Sequence, residues 1–201
     1  MTTVLLFGER RLPGPLSGSA AARIADPAQI DGVLGGIQRL AVVGSDADLA
    51  AVLSRLMRIE RLDVEVAHVR PGPLSRLRAR RAASAPARRV PLIRDDTGAV
   101  LVRAALWLPP EGAERLRGEA VVDDTVLFDG EVTGVRIEPT GTMPGLRARV
   151  LGGPGSRWIS GRAAQLGTTG VRVVRDGVTA RREAKRSTFY RHTTGWLRVD
   201  C

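Results

Sequence analysis

Residues 40–57, LAVVGSDADLAAVLSRLM, constrain this chain more than any other stretch. An apolar run over 40–43 enters a small polar turn, Gly44-Ser45-Asp46-Ala47-Asp48. Leu49, Val52, Leu53, Leu56 and Met57 then recur at spacings of three and four. The pattern predicts strand, tight turn, helix. Asp48 is the expected helix cap, with the helix running to about Arg58. A turn of this kind presents backbone N–H groups at a helix N-terminus, an arrangement that suits a phosphate.

The flanking sequence extends this unit into a small α/β domain over residues 1–90. Residues 4–7 are a short apolar strand, and 9–19 form a Pro- and Gly-rich loop. Residues 20–25 read as a short helical turn. Asp26-Pro27 opens a helix over 28–34 that stops at Gly35-Gly36. Residues 62–69 alternate as a strand, LDVEVAHV. After Pro71-Gly72-Pro73, residues 74–83 read as a basic helix with Leu74 and Leu77 on its apolar side. Residues 85–89 are the expected linker.

From residue 91 to 201 the period changes to two. Strands are expected at 100–108, 119–122, 132–137, 146–151, 158–166, 170–174 and 196–199, with a short helix at 111–116. Turn signals separate them at Pro109-Pro110, Asp129-Gly130, Gly152-Gly153-Pro154-Gly155 and Asp176-Gly177. Many short strands at such spacing predict an antiparallel β-sandwich-like domain. Phe189, Tyr190 and Trp196 are expected in its core or edge packing.

Composition excludes several classes. With 201 residues and 43% hydrophobic content the chain can bury a core and is not disordered. No apolar run reaches the roughly 18–20 residues of a bilayer span. The opening MTTVLLFGERRLPG lacks a basic region ahead of an apolar run too short for a signal peptide, so it is read as a cytoplasmic first strand. Cys201 is the only cysteine, His68 and His192 stand apart, and a GxxxxGK[ST] loop is absent. The net charge is +10, and Lys185 is the sole lysine. An Arg bias with abundant Ala, Gly and Val is what a GC-rich bacterial genome produces. Arginines 70, 76, 78, 80, 81, 88, 89 and 94 nevertheless cluster in a stretch without an acid. Such a patch favours nucleotide phosphates, anionic lipid at a membrane surface, or nucleic acid. With 3% aromatic residues and none in the cluster, nucleic acid is the less supported partner.

The layout resembles the diacylglycerol kinase and sphingosine kinase-type lipid kinase family, which is related to NAD kinases. The family's GGDGT turn after a strand matches Gly44-Ser45-Asp46-Ala47-Asp48. Its GTxND-like segment is similar to residues 64–77, VEVAHVRPGPLSRL, and its C-terminal DGE turn matches Asp176-Gly177-Val178. The resemblance implies a nucleotide site at Gly44, Ser45, Asp46 and Gly72. It implies Mg²⁺ at Asp46 and Asp48, and Asp176 as general base, with ATP as phosphate donor and a lipid hydroxyl as acceptor. The two carboxylates, Asp46 and Asp176, would have to meet across the domain cleft.

The departures are physical. Ser45 and Ala47 add β-carbons where the family has glycines that let backbone approach phosphate. Asp48 brings negative charge where the family has threonine. Ala51 and Val178 replace family acids, and the GTxND segment has lost its acid. The reading is therefore a degenerate, shortened member that binds nucleotide or lipid weakly without catalysis. Two alternatives stay open: an active ATP- and Mg²⁺-dependent lipid kinase, and a basic module for nucleic acid or an anionic surface, peripheral at the inner membrane face. Asp46 and Asp48 serve equally as βα-turn and capping residues, and Asp176-Gly177 as an ordinary hairpin turn.

Overall fold

The computed structural model describes residues 2–152 and 156–201. Its strands, in chain order, are β1 (Thr2–Phe7), β2 (Ala20–Ile24), β3 (Arg39–Val43), β4 (Glu65–Val69), β5 (Ala87–Val90), β6 (Ile93–Asp95), β7 (Val100–Leu101), β8 (Ala105–Leu108) and β9 (Leu116–Val122). They continue with β10 (Thr125–Val132), β11 (Val135–Pro139), β12 (Leu146–Val150), β13 (Ile159–Gly161), β14 (Ala163–Arg175), β15 (Val178–Thr179), β16 (Ala184–Arg191) and β17 (Trp196–Val199). Helices α1 (Asp46–Arg58) and α2 (Ser75–Ser84) accompany 3-10 helices at Gly14–Leu16 and Pro27–Val33. Contacts divide the chain into two units, Met1–Val90 with Thr194–Cys201, and Pro91–Thr193.

Among the described residues the first unit holds a six-stranded sheet in the order β2-β1-β3-β4-β17-β5. All neighbours are parallel except β17 and β5. Parallel strands buried on both faces need near-continuous apolar runs, and β1 and β3 supply them with Val4, Leu5, Leu6 and Leu40, Ala41, Val42. Alternation sorts the faces. Val4, Leu6, Ala41, Val43, Ala67 and Val69 form one cluster with Leu16 and the Ala79 and Ala82 face of α2. Helix α1 packs on β3 and buries Leu49, Val52, Leu53 and Leu56, each contributing roughly 1.5–3 kcal/mol.

Several expectations are corrected here. Of residues 20–25, Ala20–Ile24 form strand β2 rather than a helical turn, because they find their hydrogen bonds on β1 (Ala20 opposite Thr3 through Ile24 opposite Phe7). The helix at 28–34 is a 3-10 helix over Pro27–Val33, with Asp26 as its cap accepting the Ala28 N–H at 2.8 Å. The linker at 85–89 contributes β5, paired antiparallel with β17. Strand β17 itself lies in this first sheet, parallel to β4, rather than in the β domain.

The second unit is antiparallel among its described residues. Strand β14 is 13 residues long and serves two sheets. Its first half pairs with β9 and β16, and its last four residues pair with β8. The register shifts between Gly167 and Val171, where the strand passes from one sheet to the other. Beyond β8 the order runs β11-β12-β13, and beyond β16 it runs β6-β7. The core between the layers holds Trp107, Phe189, Leu116, Ile137 and Leu146. The rings of Trp107 and Phe189 are 6.1 Å apart, and Trp107 Nε1 donates to Ser187 Oγ at 2.9 Å inside the core.

Asp129-Gly130 is not a turn but part of β10. The β9–β10 hairpin reverses earlier in the chain, at Asp123 and Asp124. No helix forms at 111–116: Leu116 already belongs to β9, and the Glu111 N–H donates to Glu183 Oε1 at 2.7 Å. Of the Gly152-Gly153-Pro154-Gly155 signal, residues 153–155 lie outside the described residues. No helix among those described is long and apolar enough to cross a membrane.

Candidate functional site

In the first sheet β1 connects outward to β2, and the chain then crosses back to β3 on the other side of β1. Ligands of open α/β sheets bind beyond the carboxyl ends of strands at such a reversal. The residues there are Gly8 and Arg10 after β1 and the Gly44–Asp48 turn after β3. Beside them, His68 and Arg70 mark the end of β4.

Ser45, not Asp48, is the N-cap of α1. Its extended backbone (φ −75°, ψ 174°) turns the hydroxyl back so that Oγ accepts the Asp48 N–H at 3.2 Å. Asp48 is the third helical residue and closes the reciprocal half. Its Oδ2 accepts the Ser45 N–H at 2.7 Å and the Ser45 hydroxyl at 2.8 Å. This is a capping box made with aspartate. The same carboxylate fills the space beside Gly44. A β-carbon there would stand 2.6 Å from Asp48 Oδ2 and 2.8 Å from Asp48 Cβ. Arg10 adds a guanidinium 3.7 Å from Asp48 Oδ2.

Asp46 is 13% exposed and points toward β4, where Arg70 Nε donates to its Oδ1 at 2.8 Å. The His68 ring lies between, with Nε2 3.1 Å from Gly44 O and Nδ1 3.8 Å from Asp46 Oδ1. Burial pushes the His68 pKa down, against the upward pull of Gly44 O and Asp46, so the ring is neutral at pH 7. Neutral His68 donates from Nε2 to Gly44 O and turns its bare nitrogen toward the carboxylate.

These residues test the groups that the resemblance implies. A phosphate needs the unengaged amides and open space of the turn, but the Ser45 amide and the space at Gly44 are taken by Asp48. The anion in this turn is a side chain. Mg²⁺ needs several unshared oxygen ligands, whereas Asp46 and Asp48 face Arg70 and Arg10. Among the described residues no three His, Cys, Asp or Glu side chains gather to hold a metal. The turn as built fits neither group.

Gly72 lies in the exposed turn before α2, with φ 130° and open space where a β-carbon would point. Its glycine is explained by the backbone angle. Asp176, in the second unit, turns β14 into β15 at φ 48°. Its Oδ1 accepts the N–H groups of Arg103 (2.7 Å) and Ala104 (3.1 Å), and its Oδ2 accepts that of Val102 (2.9 Å). The carboxylate thereby clips the segment ahead of β8 to the hairpin. The arginine cluster divides. Arg70 pairs with Asp46, Arg88 with Asp200, Arg89 donates to Gly195 O, and Arg94 lies over the Tyr190 ring at 4.6 Å. Sequence reasoning missed Arg10, placed in a loop with no pattern, and gave His68 no part in the turn. The only signal for either is a position just past or within a predicted strand end.

Neither a protein-family model nor a curated protein sequence matches the chain. Solved structures do match in fold. A Bacillus anthracis strain Sterne protein provisionally called a diacylglycerol kinase superposes with a TM-score of 0.77 at 10% identity, covering 100% of this chain and 97% of that one. A second diacylglycerol kinase structure from the same organism gives 0.75 at 10% identity, again over 100% and 97%. An NAD kinase from Archaeoglobus fulgidus in complex with ATP gives 0.65 at 11% identity, over 100% and 94%. The chain thus has the two-part fold shared by diacylglycerol kinases and NAD kinases: a mixed α/β unit and a β unit.

Proposed function

We propose that this chain is a non-catalytic protein on the diacylglycerol kinase and NAD kinase fold, whose nucleotide turn is closed by its own side chains. One observation carries the reading: the Asp48 carboxylate occupies the space at Gly44 and takes the Ser45 amide. An ATP phosphate entering there would have to displace a like charge and break the cap of α1. Asp46 is held by Arg70 rather than presented to a metal, and Asp176 is a brace for its hairpin rather than a base. The turn then acts as a joint between β3 and α1, and the protein works by binding, with at most weak affinity for nucleotide.

Thermal denaturation with ATP and Mg²⁺ tests this, since a ligand that binds only the folded state raises Tm. Millimolar ATP·Mg²⁺ is expected to leave Tm within about 1 °C, a shift corresponding to about 0.25–0.5 kcal/mol. No phosphate should reach a diacylglycerol acceptor. A shift of several degrees that Asp46→Ala abolishes, or lipid phosphorylation lost in Asp176→Asn, would overturn the reading in favour of an active kinase.

A further inference from the structure

Helix α2 wears its apolar side chains on the wrong face. The side that packs on β4 and on the 3-10 helix Gly14–Leu16 carries only the small residues Ala79 and Ala82. Its two leucines are turned to solvent, Leu74 53% and Leu77 54% exposed. At about 100° per residue, Leu77 points directly away from the alanine face. Arg80 and Arg76 flank it on one side, and Leu74 and Arg81 on the other. These three arginines are exposed, and among the described residues they and Arg78 have no carboxylate partner. The arginine-rich stretch holding the helix has no acid between Glu65 and Asp95. The helix is fixed in place from below, with Arg39 Nη1 donating to the end carbonyls of Ala82 and Ala83 at 3.4 and 3.1 Å.

We infer that the outer face of α2 docks on an anionic bilayer surface, with Leu74 and Leu77 entering the headgroup–acyl boundary and Arg76, Arg80 and Arg81 meeting lipid phosphates. A basic face bearing apolar anchors is the composition that binds an interface in plane. Charge alone would serve any polyanion. The exposed leucines select the bilayer, because they gain from burial in lipid and find nothing on a phosphodiester backbone. Arginine stems cover apolar surface while their heads stay at the phosphates. This face shares no residue with the Gly44–Asp48 turn, so its test and the nucleotide test fail separately.

The test is cosedimentation of the full chain with phosphatidylcholine vesicles, with and without 30% phosphatidylglycerol. Binding is expected only with the anionic lipid, weakening with salt as surface attraction is screened. Leu74→Ser/Leu77→Ser should weaken it at least tenfold without a large change in Tm. Arg76→Gln/Arg80→Gln/Arg81→Gln should abolish it. The control Arg115→Gln/Arg181→Gln/Arg182→Gln removes the same charge from exposed positions of the second unit and should bind within threefold of the parent. Leu77→Trp should shift its emission to the blue on anionic vesicles only. Equal loss in the control, unchanged binding in the leucine variant, or binding to duplex DNA but not to vesicles would overturn the inference.

Discussion

The Asp48 carboxylate stands 2.7 Å from the Ser45 amide nitrogen and 2.6 Å from the place a β-carbon on Gly44 would take. The glycine and the aspartate are therefore one device. Removing the carboxylate in Asp48→Ala breaks half the capping box and should cost about 1 kcal/mol. Gly44→Ala in the natural background should cost more, because the new methyl pushes the carboxylate off the amide. In the Asp48→Ala background the carboxylate is gone and only the β-carbon of residue 48, 2.8 Å from the new methyl, still crowds it, so the same change should cost less than in the natural background. Urea unfolding of the four proteins should give a coupling of about 0.5–3 kcal/mol. Costs that simply add would show that Gly44 is required for another reason.

Asp176 gives the second prediction. Its two oxygens accept three backbone N–H groups from Val102, Arg103 and Ala104. Asn keeps one acceptor oxygen and tolerates the left-handed backbone at φ 48°. Asp176→Asn should therefore lower stability by about 1–3 kcal/mol through lost charge-assisted bonds. Asp176→Ala should lower it further, losing every acceptor at a strained angle. Chemical denaturation measures both. An Asn variant as stable as the parent would remove the bracing role.

These two carboxylates show how far the sequence is legible. The strand–turn–helix unit at 40–57 follows from periodicity and small turn residues, and the S-x-x-D spacing already contains the capping box. Its consequence does not: that the carboxylate folds back over Gly44 is a matter of backbone direction at Ser45. Residues 20–24, AAARI, have only Ile24 as a strand former among alanines and an arginine, and become β2 because β1 offers an edge. Residues 196–199 look like any terminal strand, and their place between β4 and β5 depends on pairings more than 100 residues apart. Asp129-Gly130 has turn composition but sits in β10, where the hairpin reverses at Asp123 instead. The arginine cluster was visible as charge. Its division into paired arginines and the open face of α2 was not, since Asp46 and Asp200 are distant in sequence from Arg70 and Arg88.

The histidines set the third prediction. Burial lowers the pKa of His68, and burial with the Arg94 charge lowers that of His192, each from the ordinary 6.5. The unfolded chain therefore binds protons first. Stability is full above about pH 6.5 and falls as pH drops from there toward the lowered folded values. Glu138 acts in a separate, lower window. Burial opposes its charge, yet Arg147 and Arg136 hold it below the ordinary 4.5, so its contribution is lost only under more acid conditions. Urea midpoints at pH 7.5 and pH 5.2 should show the protein weaker at the lower pH. His68→Gln should flatten part of that slope. A flat midpoint across this range, or a slope unmoved by His68→Gln, would contradict the assignment.

The fourth prediction concerns Asp95, the one acid among the described residues with no exposed surface. Its Oδ1 organises the turn between β6 and β7, accepting the N–H of Thr97 (2.9 Å), the hydroxyl of Thr97 (2.7 Å) and the N–H of Ala99 (2.9 Å). Its Oδ2 is paired with the Arg175 guanidinium at the end of β14. A buried pair of this kind contributes little over an apolar alternative, but breaking it strands a charge. Arg175→Ala should cost about 3–5 kcal/mol, enough to threaten a domain of ordinary stability. Asp95→Asn/Arg175→Met removes both charges, keeps an acceptor for the turn, and should recover a large part of that loss. If Arg175→Ala unfolds at the same denaturant concentration as the parent, Asp95 is not dependent on Arg175, and the backbone donors of the turn alone hold its charge.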